Sequence, residues 1–79
     1  MFTVYGQHNC IWCERALTLL RELDHEYDFK YIDKSTKYLE QFKRDWPGRK
    51  TVPAISFNNE RIGGYEDLRA WVSKHSTNE

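Results

Sequence analysis

The chain contains two cysteines, Cys10 and Cys13, which stand between a β-rich run and a helical pattern. Residues 1–5 have the composition of a strand, which is predicted to stop at Gly6. Beyond Cys13, apolar residues recur at helical spacing and charged residues occupy the other side. The apolar positions are Ala16, Leu17, Leu20 and Leu23. The pattern therefore places the cysteine pair on the first turn of a helix that directly follows a strand.

A second strand and a second helix follow. Residues 27–32 alternate aromatic with polar side chains, as in a half-buried strand, and residues 33–36 supply turn and cap residues. The next helix carries Leu39, Phe42 and Trp46 on one stripe. Pro47-Gly48 is expected to end it, because proline cannot continue a helix and glycine permits the turn that follows.

The remaining residues predict a hairpin and a last helix. Residues 54–57 and 60–62 are predicted strands, joined by a tight turn at Asn58-Asn59 because asparagine tolerates positive φ. A last helix is expected from about residue 65 to residue 74. Predicted core positions are Leu17, Leu20, Leu39, Phe42, Ile55, Phe57, Leu68 and Trp71.

The predicted order is β-α-β-α-β-β-α, an α/β arrangement. The first two strands should be parallel because a helix joins them, and the last two antiparallel through the hairpin. A CxxC pair at the start of the first helix of such a pattern indicates a thioredoxin-like redox fold, with a four-stranded mixed sheet flanked by helices. We expect one domain over residues 1–79, with residues 76–79 as a frayed polar tail.

Charge and hydropathy restrict the kinds of partner that the chain is expected to bind. The 12 basic and 12 acidic residues cancel, so no strong field would gather nucleic acid or an anionic membrane. We find no apolar run of membrane-spanning length and no basic leader before an apolar segment. We therefore expect a monomer in the cytoplasm, or in the host cytoplasm if a phage encodes it, without nucleic-acid or membrane partners.

Three kinds of chemistry are open to the cysteine pair. A static disulfide is unusual in a reducing compartment, and a bridge closing so short a loop restricts the unfolded chain little. Zinc needs four ligands, and the other candidates, His8, His25 and His75, are scattered. A reactive dithiol remains, because a helix N-terminus stabilises a thiolate. The Cys10 sulfur can face solvent, whereas Cys13 is expected one turn further in, on the side of Leu17 and Leu20. Cys10 would then attack a disulfide and Cys13 would resolve the mixed disulfide.

His8 has two interpretations. Its imidazolium could help to hold a thiolate at Cys10, or it could be an ordinary loop histidine in water.

The segments CIWC and TVPAISFNNERIGGYEDLRAW resemble the glutaredoxins, in particular the small dithiol glutaredoxins of bacteria and their large tailed phages. The resemblance runs over nearly the whole chain. It implies glutathione-linked reduction of disulfides, with Cys10 as the nucleophile that becomes glutathionylated and Cys13 as the resolving thiol. Glutathione would be a co-substrate, and no tightly bound cofactor is expected.

The resemblance also implies a set of residues that bind glutathione: Trp12, Thr51, Val52, Pro53, Gly64, Tyr65, Glu66 and Asp67. Trp12 would flank the sulfur, or else merely cap the helix start. Pro53 would follow a cis peptide bond and turn the Val52 backbone toward Cys10, or else simply open a strand. The segment 64–67 would hold the γ-glutamyl end, with Asp67 on its ammonium, or else that carboxylate would only favour the helix dipole.

Two positions depart from the family pattern. Ile11 stands where proline is common, so the fixed φ of proline is absent from the active-site turn. Gln7 stands where many members carry a lysine or arginine that pairs with the glycine carboxylate of glutathione. Our hypothesis is that glutathione binds more weakly, or that Arg49 or Lys50, beside the loop at Thr51, compensates for the missing charge.

The leading interpretation is a glutathione-dependent oxidoreductase that reduces glutathione mixed disulfides and protein disulfides, such as that of ribonucleotide reductase. One alternative is a glutaredoxin-like redoxin that thioredoxin reductase recharges. Another is a binding protein in which Cys10 and glutathione hold an iron-sulfur cluster between two subunits.

Overall fold

The predicted order of elements is confirmed in the computed structural model, which describes residues 1–75. The elements are β1 (Phe2–Gly6), α1 (Ile11–Glu22), β2 (Tyr27–Tyr31), α2 (Thr36–Asp45), β3 (Ala54–Phe57), β4 (Glu60–Gly63) and α3 (Tyr65–His75). Where the prediction gave bounds, the observed ones are the same or differ by one residue, and the strands β1 and β4 each extend onto a glycine. The predicted tail at residues 76–79 lies outside the described residues.

The sheet has four strands in the order β2-β1-β3-β4. Strands β1 and β2 are parallel, and β3 and β4 are antiparallel, as predicted. The central pair, β1 and β3, is antiparallel and sets Val4 opposite Ile55. The four-stranded mixed sheet of a thioredoxin-like fold is therefore confirmed.

Each face of the sheet has its own apolar cluster. Side chains alternate along a strand, so Phe2 and Val4 of β1 face one side and Tyr5 faces the other. The first cluster adds residues of α1 and α3, whereas the second adds residues of α2. Buried members of the first cluster are Phe2, Val4, Ala16, Leu20, Ile55 and Leu68, and those of the second are Tyr5, Phe42, Trp46 and Ala54. Helices α1 and α3 therefore pack on one face and α2 on the other.

Burial follows the predicted core in part. Buried as predicted are Leu17, Leu20, Phe42, Ile55 and Leu68, whereas Leu39, Phe57 and Trp71 are only half-buried. The assignment of Leu23 to the apolar face of α1 was wrong, because its side chain is 42% exposed. Helix α1 ends at Glu22 and Leu23 is its C-cap, so the helical spacing no longer directs this side chain to the core.

The local signals for turns and caps correspond to observed geometry. Ser35 caps α2, and its hydroxyl accepts the Tyr38 N–H at 3.2 Å. Asn58 and Asn59 join β3 to β4 with φ of 48° and 71°, which confirms the predicted turn.

None of the helices within residues 1–75 is long and apolar enough to cross a membrane.

Tyr5 provides a test of the packing around α2. Its hydroxyl donates a hydrogen bond of 2.7 Å to Asp45. Burial raises the pKa of the Tyr5 phenol, and the hydrogen bond and negative charge of Asp45 raise it further. The folded protein therefore favours the neutral phenol, and this stabilisation is complete only below the pKa of the unfolded tyrosine, about 10.

We expect Tyr5→Phe to lower the free energy of unfolding by about 1 kcal/mol at neutral pH. The difference from the wild type should shrink as the pH rises above about 10, because the unfolded wild-type tyrosine then ionises while the folded one does not. Urea unfolding of both proteins between neutral and alkaline pH measures this difference. A difference that stayed constant above pH 10 would contradict the assignment.

Candidate active site

Cys10 is the N-cap of α1, with extended backbone at φ −115° and ψ 105°. Its carbonyl accepts the Glu14 N–H at 3.1 Å, and its Sγ accepts the Cys13 N–H at 3.2 Å. The sulfur therefore sits where unpaired N–H groups and the positive end of the helix dipole favour negative charge. The predicted position of the cysteine pair at the start of the helix is confirmed.

The two cysteines are joined in a disulfide and differ in exposure. Cys13 is 1% exposed, whereas Cys10 is half-buried. This matches the asymmetry that the helical pattern predicts, with Cys13 turned toward the apolar side of α1. Only the outer sulfur, that of Cys10, is open to an incoming molecule.

Gly6, at the end of β1, leaves the space that the inner cysteine needs. A Cβ at this position would overlap the Phe29 ring and lie 2.9 Å from Cys13 Sγ. Strand β1 can therefore approach the buried sulfur this closely only with glycine at its end.

A cleft of about 360 Å³ lies beside the CxxC turn, and all eight residues that the resemblance implies for glutathione line it. These residues are Trp12, Thr51, Val52, Pro53, Gly64, Tyr65, Glu66 and Asp67, and Arg49 completes the lining. The Val52–Pro53 peptide bond is cis, as expected from the resemblance. Three segments that are distant in sequence thus form one surface, which we call the cis-proline cleft.

The segment 63–67 at the start of α3 is built around Asp67. Its carboxylate accepts the Gly64 N–H at 2.9 Å, and the Gly64 carbonyl accepts the Leu68 N–H at 2.9 Å. The first contact is one half of a capping box, in which the carboxylate three residues into the helix accepts the N–H of the residue before it, and the second is the first hydrogen bond of the helix. Gly63 has φ of +127°, and a Cβ there would overlap the Asp67 carboxylate. The carboxylate is held at the helix start, where it can still accept bonds from further donors.

Arg49 is part of the cleft, although the residues implied for glutathione did not include it. Its Nη2 donates to the Pro53 carbonyl at 3.2 Å, and its Nε donates to the Thr51 carbonyl at 3.0 Å. The guanidinium also lies 5.0 Å from the centre of the Trp46 ring. The sequence signal for Arg49 was its basic side chain next to the loop at Thr51. The structure thus brings one cation of the predicted compensating pair into the cleft.

Gln7 and His8 do not line the cis-proline cleft. They line a separate cleft of about 180 Å³ that also includes Cys13. His8 Nδ1 lies 3.2 Å from Asp33 Oδ2, the His8 N–H donates to the same oxygen at 3.0 Å, and the imidazole stacks on Tyr31 with centroids 4.1 Å apart. Sequence reasoning missed this carboxylate partner of His8, because the two residues lie 25 positions apart.

The contact with His8 changes the acidity of its partner. Desolvation acts to raise the pKa of Asp33, but hydrogen bonds from the His8 backbone and ring, together with the charge of His8, outweigh it and lower this pKa.

Within residues 1–75, no group of three or more His, Cys, Asp or Glu side chains is placed to hold a metal ion.

Comparison with known proteins identifies the family. The family model described as glutaredoxin matches residues 2–62. Over an alignment of 79 residues, the chain is 35% identical to Glutaredoxin 1 of Escherichia coli K12, covering 91% of this chain and 92% of that protein. The structure of reduced Escherichia coli glutaredoxin superimposes with a TM-score of 0.73 at 29% identity, over 94% of each chain.

A more distant likeness concerns the fold alone. The crystal structure of the buckwheat glutaredoxin–glutathione complex superimposes with a TM-score of 0.78 at 21% identity, covering 92% of this chain and 68% of that one. The family model and the two Escherichia coli glutaredoxin matches, together with the redox-active cysteine pair at the start of α1, show that the chain belongs to the glutaredoxin family of thiol–disulfide oxidoreductases.

Proposed function

We propose that the protein is a glutathione-dependent oxidoreductase that reduces mixed disulfides between glutathione and proteins or small thiols. It would also reduce protein disulfides such as that of ribonucleotide reductase, as a monomer without a tightly bound cofactor. The observation that carries this proposal is the cis-proline cleft, in which all eight residues implied for glutathione lie together beside the CxxC turn.

The first step is a thiol–disulfide exchange at Cys10. Its thiolate, favoured at the N-cap of α1, attacks the glutathione sulfur of the mixed disulfide, and the substrate leaves as a thiolate. A second glutathione thiolate then attacks the Cys10–glutathione disulfide and releases glutathione disulfide. The net reaction consumes one glutathione, frees the substrate thiol and leaves glutathione disulfide in place of the mixed disulfide.

Cys13 provides a second route. Its thiolate displaces the group bound to Cys10 and forms the Cys10–Cys13 disulfide that the structure contains. This route is the one that reduces a protein disulfide, because both electrons come from the dithiol. Burial of Cys13 keeps it from attacking external disulfides directly.

Each part of glutathione finds a chemical counterpart in the cleft. The N–H groups at the start of α3 suit the γ-glutamyl carboxylate, and Asp67 suits the ammonium beside it. The backbone of Val52 can pair with the cysteine part of glutathione in the manner of a short strand. The Arg49 guanidinium suits a carboxylate of glutathione, since both groups are planar and their charges are opposite.

Asp67→Asn tests the ammonium contact. The amide oxygen can still accept the Gly64 N–H, so the cap should persist, but the negative charge is lost. We expect the KM for glutathione to rise by about tenfold or more, the loss of a charged hydrogen bond. Asp28→Asn, an exposed site on β2 outside the cleft, is the matched control and should leave KM unchanged. Equal KM values in both variants would remove Asp67 from the binding site.

Arg49 and Lys50 are neighbours with the same charge, and only Arg49 lines the cleft. We expect Arg49→Ala to raise the KM for glutathione about tenfold, as for loss of a charge-assisted contact, and Lys50→Ala to change it less than about twofold. Arg49→Lys should recover part of the loss, because it restores the charge but not the planar fork. Normal affinity in Arg49→Ala would show that no cation compensates for Gln7.

The experiment that tests the proposed function is NADPH consumption with a small glutathione mixed disulfide as substrate. Glutathione with glutathione reductase is compared with thioredoxin reductase as the source of electrons. Turnover with glutathione supports the proposal. Reduction by thioredoxin reductase alone would instead make the protein a redoxin with a glutaredoxin fold.

A further inference from the structure

Two aromatic side chains form a ridge next to the CxxC turn. The rings of Trp12 and Tyr65 lie 5.7 Å apart at an angle of 38°, and Trp12 is 46% exposed. The cis-proline cleft lies on one side of this pair, and Tyr65 also lines a second groove of about 390 Å³. The surface beside Cys10 is therefore divided in two, and the proposed glutathione contacts use only one part.

The second groove, which we call the α1 groove, runs along one stripe of α1. It is lined by Tyr65 and by Ile11, Glu14, Arg15, Leu19 and Glu22. From Ile11 to Glu22 the helix rises about 16 Å, which matches the length of about five residues of extended chain. The groove starts at the residue that follows Cys10 and is long enough to hold a short peptide segment.

The two ends of the α1 groove differ in chemistry. Ile11, at the end near Cys10, is 59% exposed, so this end of the groove presents an apolar side chain. Glu14 and Arg15 both line the groove near this end and carry opposite charges, and the Arg15 guanidinium lies 4.8 Å from the centre of the Trp12 ring. At the far end Glu22 is exposed, and its neighbour Arg21 donates from Nε to the Tyr27 hydroxyl at 2.8 Å. Arg21 keeps its charge in this contact but is not among the residues that line the groove, so the charge that the far end presents is that of Glu22.

We propose that the α1 groove binds the polypeptide of a protein substrate. Its occupant is an extended segment with an apolar residue next to the disulfide cysteine and a basic residue about five positions away, facing Glu22. The proposal rests on Cys10 as nucleophile. Cys10 Sγ attacks the segment's sulfur, the substrate disulfide breaks, and its other sulfur leaves as a thiolate. Cys13 then displaces the segment as a second thiolate and forms the Cys10–Cys13 disulfide.

The ridge gives this groove a specific function. Tyr65 lines both surfaces, but the remaining lining residues differ, so a protein segment and glutathione would share only this one contact residue. A glutathionylated protein could place its glutathione in the cis-proline cleft and its own chain in the α1 groove. Selection among proteins would then depend on Ile11 and Glu22, and not on the glutathione contacts.

The test uses short peptides with an internal disulfide, reduced by the reduced protein in a single turnover without glutathione. Two peptides carry lysine five residues before or five residues after the attacked cysteine, and two matched peptides carry glutamate there. Acid quenching and mass spectrometry give the rates. For the wild type we expect lysine to be favoured over glutamate by about fivefold in at least one direction, and less at high salt.

Charge reversal separates this groove from general electrostatics. Glu22→Lys should reverse the preference, and Glu22→Gln should remove most of it. Glu40→Lys, the same change at an exposed site on α2, should keep the wild-type preference. Thermal unfolding checks that all variants are folded. No preference in the wild type, or an unchanged preference in Glu22→Lys, would overturn the α1 groove as a binding site.

Two further measurements distinguish this failure from failure of the proposed function. Reduction of peptides by Cys10→Ser at the wild-type rate would remove Cys10 as nucleophile, whatever the peptide preference. Loss of turnover in the glutathione-coupled assay, with peptide selectivity intact, would contradict the use of glutathione and leave the α1 groove supported.

Discussion

Replacing Cys10 by serine is expected to abolish turnover of both glutathione mixed disulfides and protein disulfides. A serine hydroxyl stays protonated at neutral pH, so the helix N-terminus has no anion to stabilise and the attack on sulfur is lost. The loss in kcat/KM should be on the order of a thousandfold or more, as for removal of other catalytic nucleophiles.

Cys13→Ser should behave differently. Glutathione can resolve the Cys10–glutathione disulfide itself, so activity on small mixed disulfides should stay within about threefold of the wild type. Reduction of a protein disulfide should fall much further, because the buried resolving thiol is absent and the mixed disulfide with the protein persists. Mass spectrometry of the trapped species and steady-state rates with both substrates provide the comparison. Equal losses in the two single variants would contradict the division of roles.

A second large effect is expected from Leu20→Ala. Leu20 is 0% exposed on the buried face of α1, within the cluster that joins this helix to β1 and α3. Truncation removes apolar contacts and leaves a cavity, at a cost of about 2–5 kcal/mol in the free energy of unfolding. This is a large fraction of the total stability of about 5–15 kcal/mol that is typical of a domain.

Leu23→Ala is the matched control on the same helix. Leu23 is 42% exposed at the C-cap, so the same truncation should cost less than about 1 kcal/mol. Urea unfolding of both reduced variants gives the two values. Because Leu20 lies almost three turns from Cys10, the Leu20→Ala variant should stay active at temperatures at which it is folded. Similar costs for the two truncations would show that α1 does not pack as described.

The order of elements could be predicted from the sequence because its signals are local. The spacing of Ala16, Leu17 and Leu20 indicates a helix over a few neighbouring turns, and Asn58-Asn59 indicates its turn without help from the rest of the chain. The position of Cys10 at the helix start follows from the same kind of signal. Leu23 was misassigned because one turn of periodicity cannot show where the last helical hydrogen bond falls.

The sequence predicted some of the site residues but not others. The eight residues of the cis-proline cleft were named through resemblance to a family, since nothing in spacing or composition places residue 12 beside residues 51–53 and 64–67. Arg49 was only one of two candidate cations, and the structure places it at the Pro53 carbonyl. The contact between His8 and Asp33 had no sequence signal, because a hydrogen bond between residues far apart in the chain leaves no periodicity.

The sequence by itself determined the alternation of strands and helices, the turn residues and the place of the dithiol at a helix N-terminus. Each of these depends on interactions between residues close in the chain. Only the tertiary structure decided the antiparallel pairing of β1 with β3, the close approach of the Cys13 sulfur to Gly6, and the ridge of Trp12 and Tyr65 between the cis-proline cleft and the α1 groove. These features arise where distant segments pack together, and packing depends on the whole set of apolar contacts rather than on any one segment.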